Sequence, residues 1–197
     1  MKRIIQVDKF TDKNISRLCS WEITHLDILH EKLYTPAMDR LMVFVTRTGN
    51  MGIIWIIVAV FMMIFEPHIR DGYILLIALL LCVMIGNLMI KNIVRRRRPF
   101  FHKSYKLLIK QPWDYSFPSG HTLSSFAAAT VICITNPYYG ILAYMYAALI
   151  ALSRLYLRVH FFTDVAFSSV VGIFLGWASV MAFKMGWLNF LPLLSNV

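Results

Sequence analysis

Polar and apolar positions divide the chain into long, nearly uncharged runs separated by short polar stretches. Residues 51–65, 72–90, 121–134, 138–157 and 165–183 are apolar on every face, which predicts helices enclosed by lipid or by one another. The second run is long enough, at about 1.5 Å per residue, to cross a bilayer core. The first is short and closes at Glu66-Pro67. Residues 23–45 read differently. Leu26, Leu29, Leu33 and Ala37 recur with charges between them, followed by Leu41, Met42 and Phe44. That spacing predicts one or two amphipathic helices at the membrane interface, broken near Thr35-Pro36. A surface helix packed on the bundle would show the same pattern. Residues 46–50 read as a turn. Gly172 and Gly176, four apart, permit close helix packing.

The expected architecture is all-α: a polytopic membrane helix bundle of about five transmembrane helices plus an N-terminal amphipathic interfacial helical region. Residues 1–24 are expected to form a polar N-terminal segment without a cleavable signal, 25–185 the membrane-embedded domain, and 186–197 a short C-terminal tail.

Composition supports this division. Of 197 residues, 58% are hydrophobic and only 15% charged, too apolar for an ordinary soluble protein. The net charge of +10 comes from basic residues flanking the apolar runs, so it points to lipid headgroups or an anionic substrate and not to nucleic acid. Cys19, Cys82 and Cys133 have neither the spacing nor the context of a disulfide framework or a zinc site.

Counting crossings places loop 91–117, the turn Ser119-Gly120-His121 and residues 153–164 on one membrane face, together with the N-terminal segment. Nearly all the polar chemistry of the chain is therefore on one side. Lys91, Arg98 and Arg154 supply fixed positive charge, and the two guanidinium forks suit phosphate oxygens. Pro118 disfavours helix at Phe117, Ser119 is a good N-cap, and Gly120 lets a ligand approach the backbone at a helix N-terminus. Ser119 and the Gly120 N–H add neutral donors. His160 and Asp164, at i and i+4, meet if their segment is helical, so that the carboxylate holds one ring nitrogen. His160 can then present the other nitrogen as a nucleophile while His121 protonates a leaving oxygen. Taken singly, each piece has a plainer reading: topogenic arginines, a helix cap, an interfacial charge. Arg95, Arg96 and Arg97 read as solvated membrane-surface charge, and His102 as an interfacial residue. Trp113, Tyr115 and Phe117 read as an aromatic belt.

Lys91-x6-Arg98-Pro99, Pro118-Ser119-Gly120-His121 and Ser153-Arg154-x5-His160-x3-Asp164 stand in this order. Together they resemble the three signature motifs of the type 2 phosphatidic acid phosphatase superfamily, which also includes vanadium haloperoxidases. The resemblance covers roughly residues 25–185. It implies that His160 attacks phosphorus to form a phosphohistidine, that Asp164 orients it, and that His121 serves as general acid and then as base for water. It also implies that Lys91, Arg98, Ser119, Gly120 and Arg154 hold the phosphoryl oxygens, with Ser153 in support.

Between Gly72 and the C-terminus the only acids are Asp114 and Asp164, too few for a two-metal phosphatase centre. No metal or other cofactor is expected. The function implied is that of an integral membrane lipid phosphatase acting on a phosphomonoester or diphosphate. Undecaprenyl diphosphate, phosphatidate, phosphatidylglycerophosphate and a lipid-A-like phosphate are candidates. A phosphotransferase using the same chemistry, or an anionic-lipid binding or transport protein without turnover, are the alternatives. Expected partners are the lipid phosphate and membrane lipids; nothing in the sequence sets the oligomeric state. The family habit puts the site on the extracytoplasmic face of the cell membrane. The positive-inside rule argues the other way, since of 20 Lys and Arg residues only Arg70 and Lys184 fall on the opposite face.

Overall fold

The computed structural model describes residues 16–64 and 68–187, and these contain helices, turns and irregular segments but no strand. The predicted close of the first apolar run at Glu66-Pro67, most of the N-terminal segment and most of the C-terminal tail lie outside the described residues.

Helix α1 (Arg17–Leu33) starts ahead of the predicted onset near Ile23, because Ser16 caps it by accepting the Cys19 N–H at 3.2 Å. The break at Thr35-Pro36 is present. Thr35 caps α2 (Pro36–Thr48) by accepting the Met38 N–H, and Pro36 occupies the first turn where no N–H is needed. Residues 46–48, read as a turn from sequence, are the last turn of α2. The real turn is Gly49 and a short 3₁₀ stretch (Asn50–Gly52), after which α3 (Ile53–Ile64) leaves at 49° to α2. Helix α4 (Ile69–Leu81) continues through a π-helical stretch (Cys82–Ile90) into α5 (Lys91–Val94). A one-turn helix, α6 (Pro99–His102), and an irregular segment follow. The remaining helices are α7 (Gly120–Thr135), α8 (Pro137–Tyr156) and α9 (Phe162–Lys184).

Three stretches among the described residues are long and apolar enough to cross a membrane, namely Ile69–His102, α8 and α9. A fourth is added if the bent α2–α3 pair forms one span. The expected count of about five also takes α7 as a span. At 16 residues α7 is about 24 Å long, but it lies at the centre of the bundle, packed against α4, α8 and α9. A helix sheathed by protein need not match the hydrocarbon thickness.

Small residues make that burial feasible. Ala127, Ala128 and Ala129 are fully buried along α7. A Cβ on Gly172 would stand 2.5 Å from the Leu123 carbonyl oxygen, and one on Gly176 would stand 2.5 Å from that of Ala127. The expected role of this glycine pair is thus realised in the α7–α9 contact. The amphipathic helix α1 is packed on the bundle: Ile23 and Leu26 join Ala151, Leu155, Phe161 and Val165 in one apolar cluster, while Leu18, Trp21 and Ile28 face outward.

Gly176→Leu forces α7 and α9 apart. It should cost about 1–3 kcal/mol and lower the unfolding temperature in detergent, whereas Val170→Leu on the exposed face of α9 should leave it unchanged.

Candidate active site

All three motif segments meet at one end of the bundle around a cavity of 730 Å³, whose wall includes Lys91, Arg98, Gly120, His121, Arg154 and His160. Each is delivered differently. Lys91 is the first residue of α5, at the end of the long helical stretch that begins with α4. Arg95 takes a left-handed conformation (φ 49°) and ends α5. Arg98 is extended (φ −79°, ψ 158°), as expected before Pro99. Arg95 and Arg97 are exposed, while Arg96 is half-buried and Arg98 buried, both turned inward.

The four arginines are therefore two pairs with different fates. Arg98 is almost completely buried. Its Nε donates to the Asp114 carbonyl oxygen at 2.9 Å, its Nη2 to Asp114 Oδ1 at 2.6 Å, and its Nη1 to the Val159 carbonyl oxygen at 2.7 Å. Nη1 also lies 3.0 Å from His160 Nε2. An arginine can only donate, so Nε2 must accept, and the His160 ring proton resides on Nδ1. Nδ1 faces Asp164 Oδ2 at 3.5 Å. The nitrogen at the cationic side of the cavity is thus the one carrying the lone pair, which here accepts from Arg98. Burial, reinforced by the positive charges of Arg98, Arg154 and Lys91, holds His160 well below its ordinary 6.5, so the ring is neutral at pH 7.

His160 and Asp164 do not meet across a helical turn, as the i, i+4 spacing suggested. Residues 157–161 are a turn and an extended residue, and α9 begins only at Phe162. Asp164 sits in the first turn of α9 and reaches back to accept the Phe161 N–H at 2.9 Å, which also brings it beneath His160. Its Oδ2 accepts a short hydrogen bond from Ser116, and its Oδ1 accepts from Arg96 Nη1 at 2.6 Å. Arg96, read from sequence as solvated surface charge, is instead an inward residue paired with Asp164 and with Glu22 of α1.

His121 stands at the start of α7, with Nε2 3.0 Å from Asn50 Oδ1 in the 3₁₀ turn. Arg154, near the end of α8, is buried and donates to the Thr46 hydroxyl of α2. Gly120 lies against the π-helical stretch, where an added Cβ would be 2.8 Å from Asn87 Oδ1. Ser119 departs from its expected place. It precedes α7, but its hydroxyl makes no capping bond; it lies 3.0 Å from the Thr122 hydroxyl. Its N–H donates to Ser168, which in turn donates to the Asp164 carbonyl oxygen. Ser119 is fully buried and its N–H, engaged by Ser168, ties α7 to α9. His102 packs near the Phe161 ring at 6.2 Å and is not part of the wall. Among the described residues no three His, Cys, Asp or Glu side chains converge as a metal site.

Sequence reasoning counted Asp114 as one acid among few and missed its position. Its carboxylate bridges Lys91 Nζ at 2.5 Å and Arg98 Nη2 at 2.6 Å, and its side chain is 51% exposed beside cations exposed by 7% and 2%. Burial alone would raise its pKa, but Arg98 and Lys91 outweigh burial and hold it well below the usual carboxylate range. A carboxylate thus occupies two of the cationic groups that the motif resemblance assigns to phosphate. Asp114→Asn should tighten binding of inorganic phosphate to the purified protein by about tenfold, a change of ~1.4 kcal/mol, measurable by titration calorimetry. An unchanged or weaker affinity would mean that Asp114 organises the cations without competing for them.

The chain matches the family model described as the PAP2 superfamily over residues 71–187. It is 32% identical over 151 residues to an undecaprenyl-diphosphatase of Sulfolobus acidocaldarius, covering 76% of this chain and 72% of that protein. It is 31% identical to a lipid A 4'-phosphatase of Porphyromonas gingivalis over 51% of this chain and 46% of that one. Among solved structures, Aquifex aeolicus LpxE superposes with a TM-score of 0.71 at 25% identity, covering 82% of this chain and 95% of that one. The phosphatidylglycerolphosphate phosphatase of Bacillus subtilis shares the fold, with a TM-score of 0.70 at 21% identity over 87% of this chain and 89% of that one. A cavity that assembles all three motifs, and relatives that match both sequence and fold, lead to one conclusion: the chain belongs to the PAP2 superfamily.

Proposed function

We propose that this integral membrane protein hydrolyses a lipid phosphomonoester or diphosphate through a phosphohistidine on His160, without a metal ion. The observation that carries this reading is the position of His160 Nε2, 3.0 Å from Arg98 Nη1, in a cavity whose wall also holds Lys91 and Arg154. The three cations bind the phosphoryl oxygens and offset their charge as the transition state forms, the role metal ions fill in other phosphatases. Nε2 attacks phosphorus and the bond to the lipid-side oxygen breaks. His121 gives that oxygen a proton. Water then attacks phosphorus, returns a proton to His121, and breaks the P–N bond to release orthophosphate and neutral His160.

The substrates named for the relatives, undecaprenyl diphosphate and lipid A, support a lipid phosphate as the class. We place the site on the extracytoplasmic face of the cell membrane, where the family resemblance puts it. Lys91, Arg96, Arg98 and Arg154 turn inward and so belong to the site, while the other basic residues of that face still outnumber Arg70 and Lys184 opposite.

With purified protein in detergent and a panel of lipid phosphates, phosphate release should persist in excess EDTA. It should fall about a thousandfold or more in His160→Ala. His121→Ala, incubated with radiolabelled substrate, should accumulate an acid-labile label on the protein. Because attack requires neutral His160, and the folded protein keeps it neutral below 6.5, lowering the pH through that value should not by itself cost activity. The acid limb of kcat/KM, corrected for substrate ionisation, should therefore lie below 6.5. Release that stops with EDTA, or survives in His160→Ala, would overturn the proposal; a label passing to an added alcohol in preference to water would make the protein a phosphotransferase.

A further inference from the structure

The carboxylate behind His160 is held by groups that belong to none of the three motifs' expected roles. Arg96 bridges two fully buried carboxylates: Nη1 donates to Asp164 Oδ1 at 2.6 Å and Nη2 to Glu22 Oε2 at 2.6 Å. Its guanidinium also lies 3.8 Å from the centre of the Phe161 ring. The other oxygen of Glu22 accepts from the Thr163 N–H and from the Thr163 hydroxyl, each at 2.9 Å. Thr163 is the neighbour of Asp164 in the first turn of α9, and Arg96 Nη1 donates to its hydroxyl at 2.6 Å as well. Glu22 thus satisfies an otherwise orphaned N–H of that turn from a different helix. An isolated buried glutamate would be costly, and one tied by three hydrogen bonds to Arg96 and Thr163 is a built feature.

We propose that Arg96 and Glu22 are positioning residues for the reaction, fixing the orientation and the charge of Asp164 behind His160. The inference rests on the hydrolytic reading above. Asp164 can steady the ring proton on Nδ1 only while its carboxylate stays beneath His160. Arg96 locks one oxygen, which leaves Oδ2, shared with Ser116 and the Phe161 N–H, as the oxygen facing Nδ1. The guanidinium also draws negative charge from Asp164 and so moderates how strongly it favours imidazolium. Glu22 counters that charge. Helix α1 is on this account part of the catalytic apparatus.

Other charges bear on His160 and must be held constant: Arg98 beside it, Lys91 of α5, Arg154 of α8, His121 of α7 and Asp114 of the irregular segment. Substituting only Arg96 or Glu22 leaves these in place, and the two substitutions should act with opposite sign. Arg96→Met removes a positive charge, strengthens Asp164 as a partner of the imidazolium, and moves the acid limb of kcat/KM upward. Glu22→Gln keeps an oxygen for Thr163, removes a negative charge, and moves the limb downward.

The experiment measures kcat, KM, the pH profile and inhibition by inorganic phosphate for wild type, Arg96→Met, Arg96→Lys, Glu22→Gln and the outward-facing Arg97→Met. Thermal unfolding in detergent is followed in parallel. The expected result is a kcat about 10- to 100-fold lower in Arg96→Met, with KM and phosphate inhibition within about threefold of wild type. Arg96→Lys should recover part of the loss, the acid limbs should shift in opposite directions, and Arg97→Met should behave as wild type. A rise in KM with a loss of phosphate inhibition would make Arg96 a substrate ligand and overturn the inference. A fall in kcat that tracks loss of stability, with no movement of either acid limb, would reduce the pair to a structural tie and overturn it equally. A wild-type chain that releases no phosphate defeats the hydrolytic reading and this one together; an active wild type with unaffected variants defeats this one alone.

Discussion

Lys91, Arg98 and Arg154 are three positive charges with almost no exposure at the end of an apolar bundle, and the rest of the site is arranged around keeping them there. Removing a charge from water costs several kcal/mol unless partners compensate. Asp114 answers Lys91 and Arg98, backbone carbonyls take more of the Arg98 fork, and the Thr46 hydroxyl takes Arg154. The compensation is incomplete by design of the residues available. One half-exposed carboxylate is shared between two cations, and Arg154 has no carboxylate partner within ion-pair distance among the described residues. A phosphate dianion entering the cavity would complete what the protein leaves short.

The same excess of positive charge decides the state of His160. A ring beside three cations resists protonation, which preserves the electron pair on Nε2. Those cations alone would not choose an orientation, since either ring nitrogen could face the arginine. Asp164 Oδ2 lies 3.5 Å from Nδ1, without a hydrogen bond, and its negative charge favours the proton on that nitrogen. The Arg98 cradle and the Asp164 anchor therefore select the same tautomer from opposite sides. Asp164 performs a second task in capping α9, so the geometry of the site and the starting point of a membrane helix are set by one carboxylate.

Close helix packing is the mechanical counterpart of this arrangement. Gly172 and Gly176 bring α9 against the backbone of α7, and Ser168 links the first turn of α9 to the Ser119 N–H. The helix that starts at Gly120 and the helix that starts at Phe162 consequently present their N-termini to one place. Glu22 and Arg96 then fasten α1 to the second of these ends. Lipid faces the outer surface of the helices, and the polar chemistry is confined to one end, where a headgroup can reach it while its tail remains in the bilayer.

The sequence alone determined the helices, their order, the break at Thr35-Pro36 and the face on which the motifs gather. Apolar runs, caps and prolines act over a few residues, so their consequences can be read locally. It also distinguished Lys91, Arg98, His121, Arg154, His160 and Asp164 from the other polar residues, through spacings tied to one chemistry. What it could not separate was Arg96 from Arg95 and Arg97, or Asp114 from a loop acid, or Ser119 as a ligand from Ser119 as a tie. Those distinctions depend on how the chain runs between α5 and α6 and which helix lies behind it. The partners of Arg96 were not foreseeable, because Glu22 and Asp164 are brought to it from opposite ends of the chain by packing. Only the tertiary structure decided which charges are buried together, since that depends on distances in space and not along the chain.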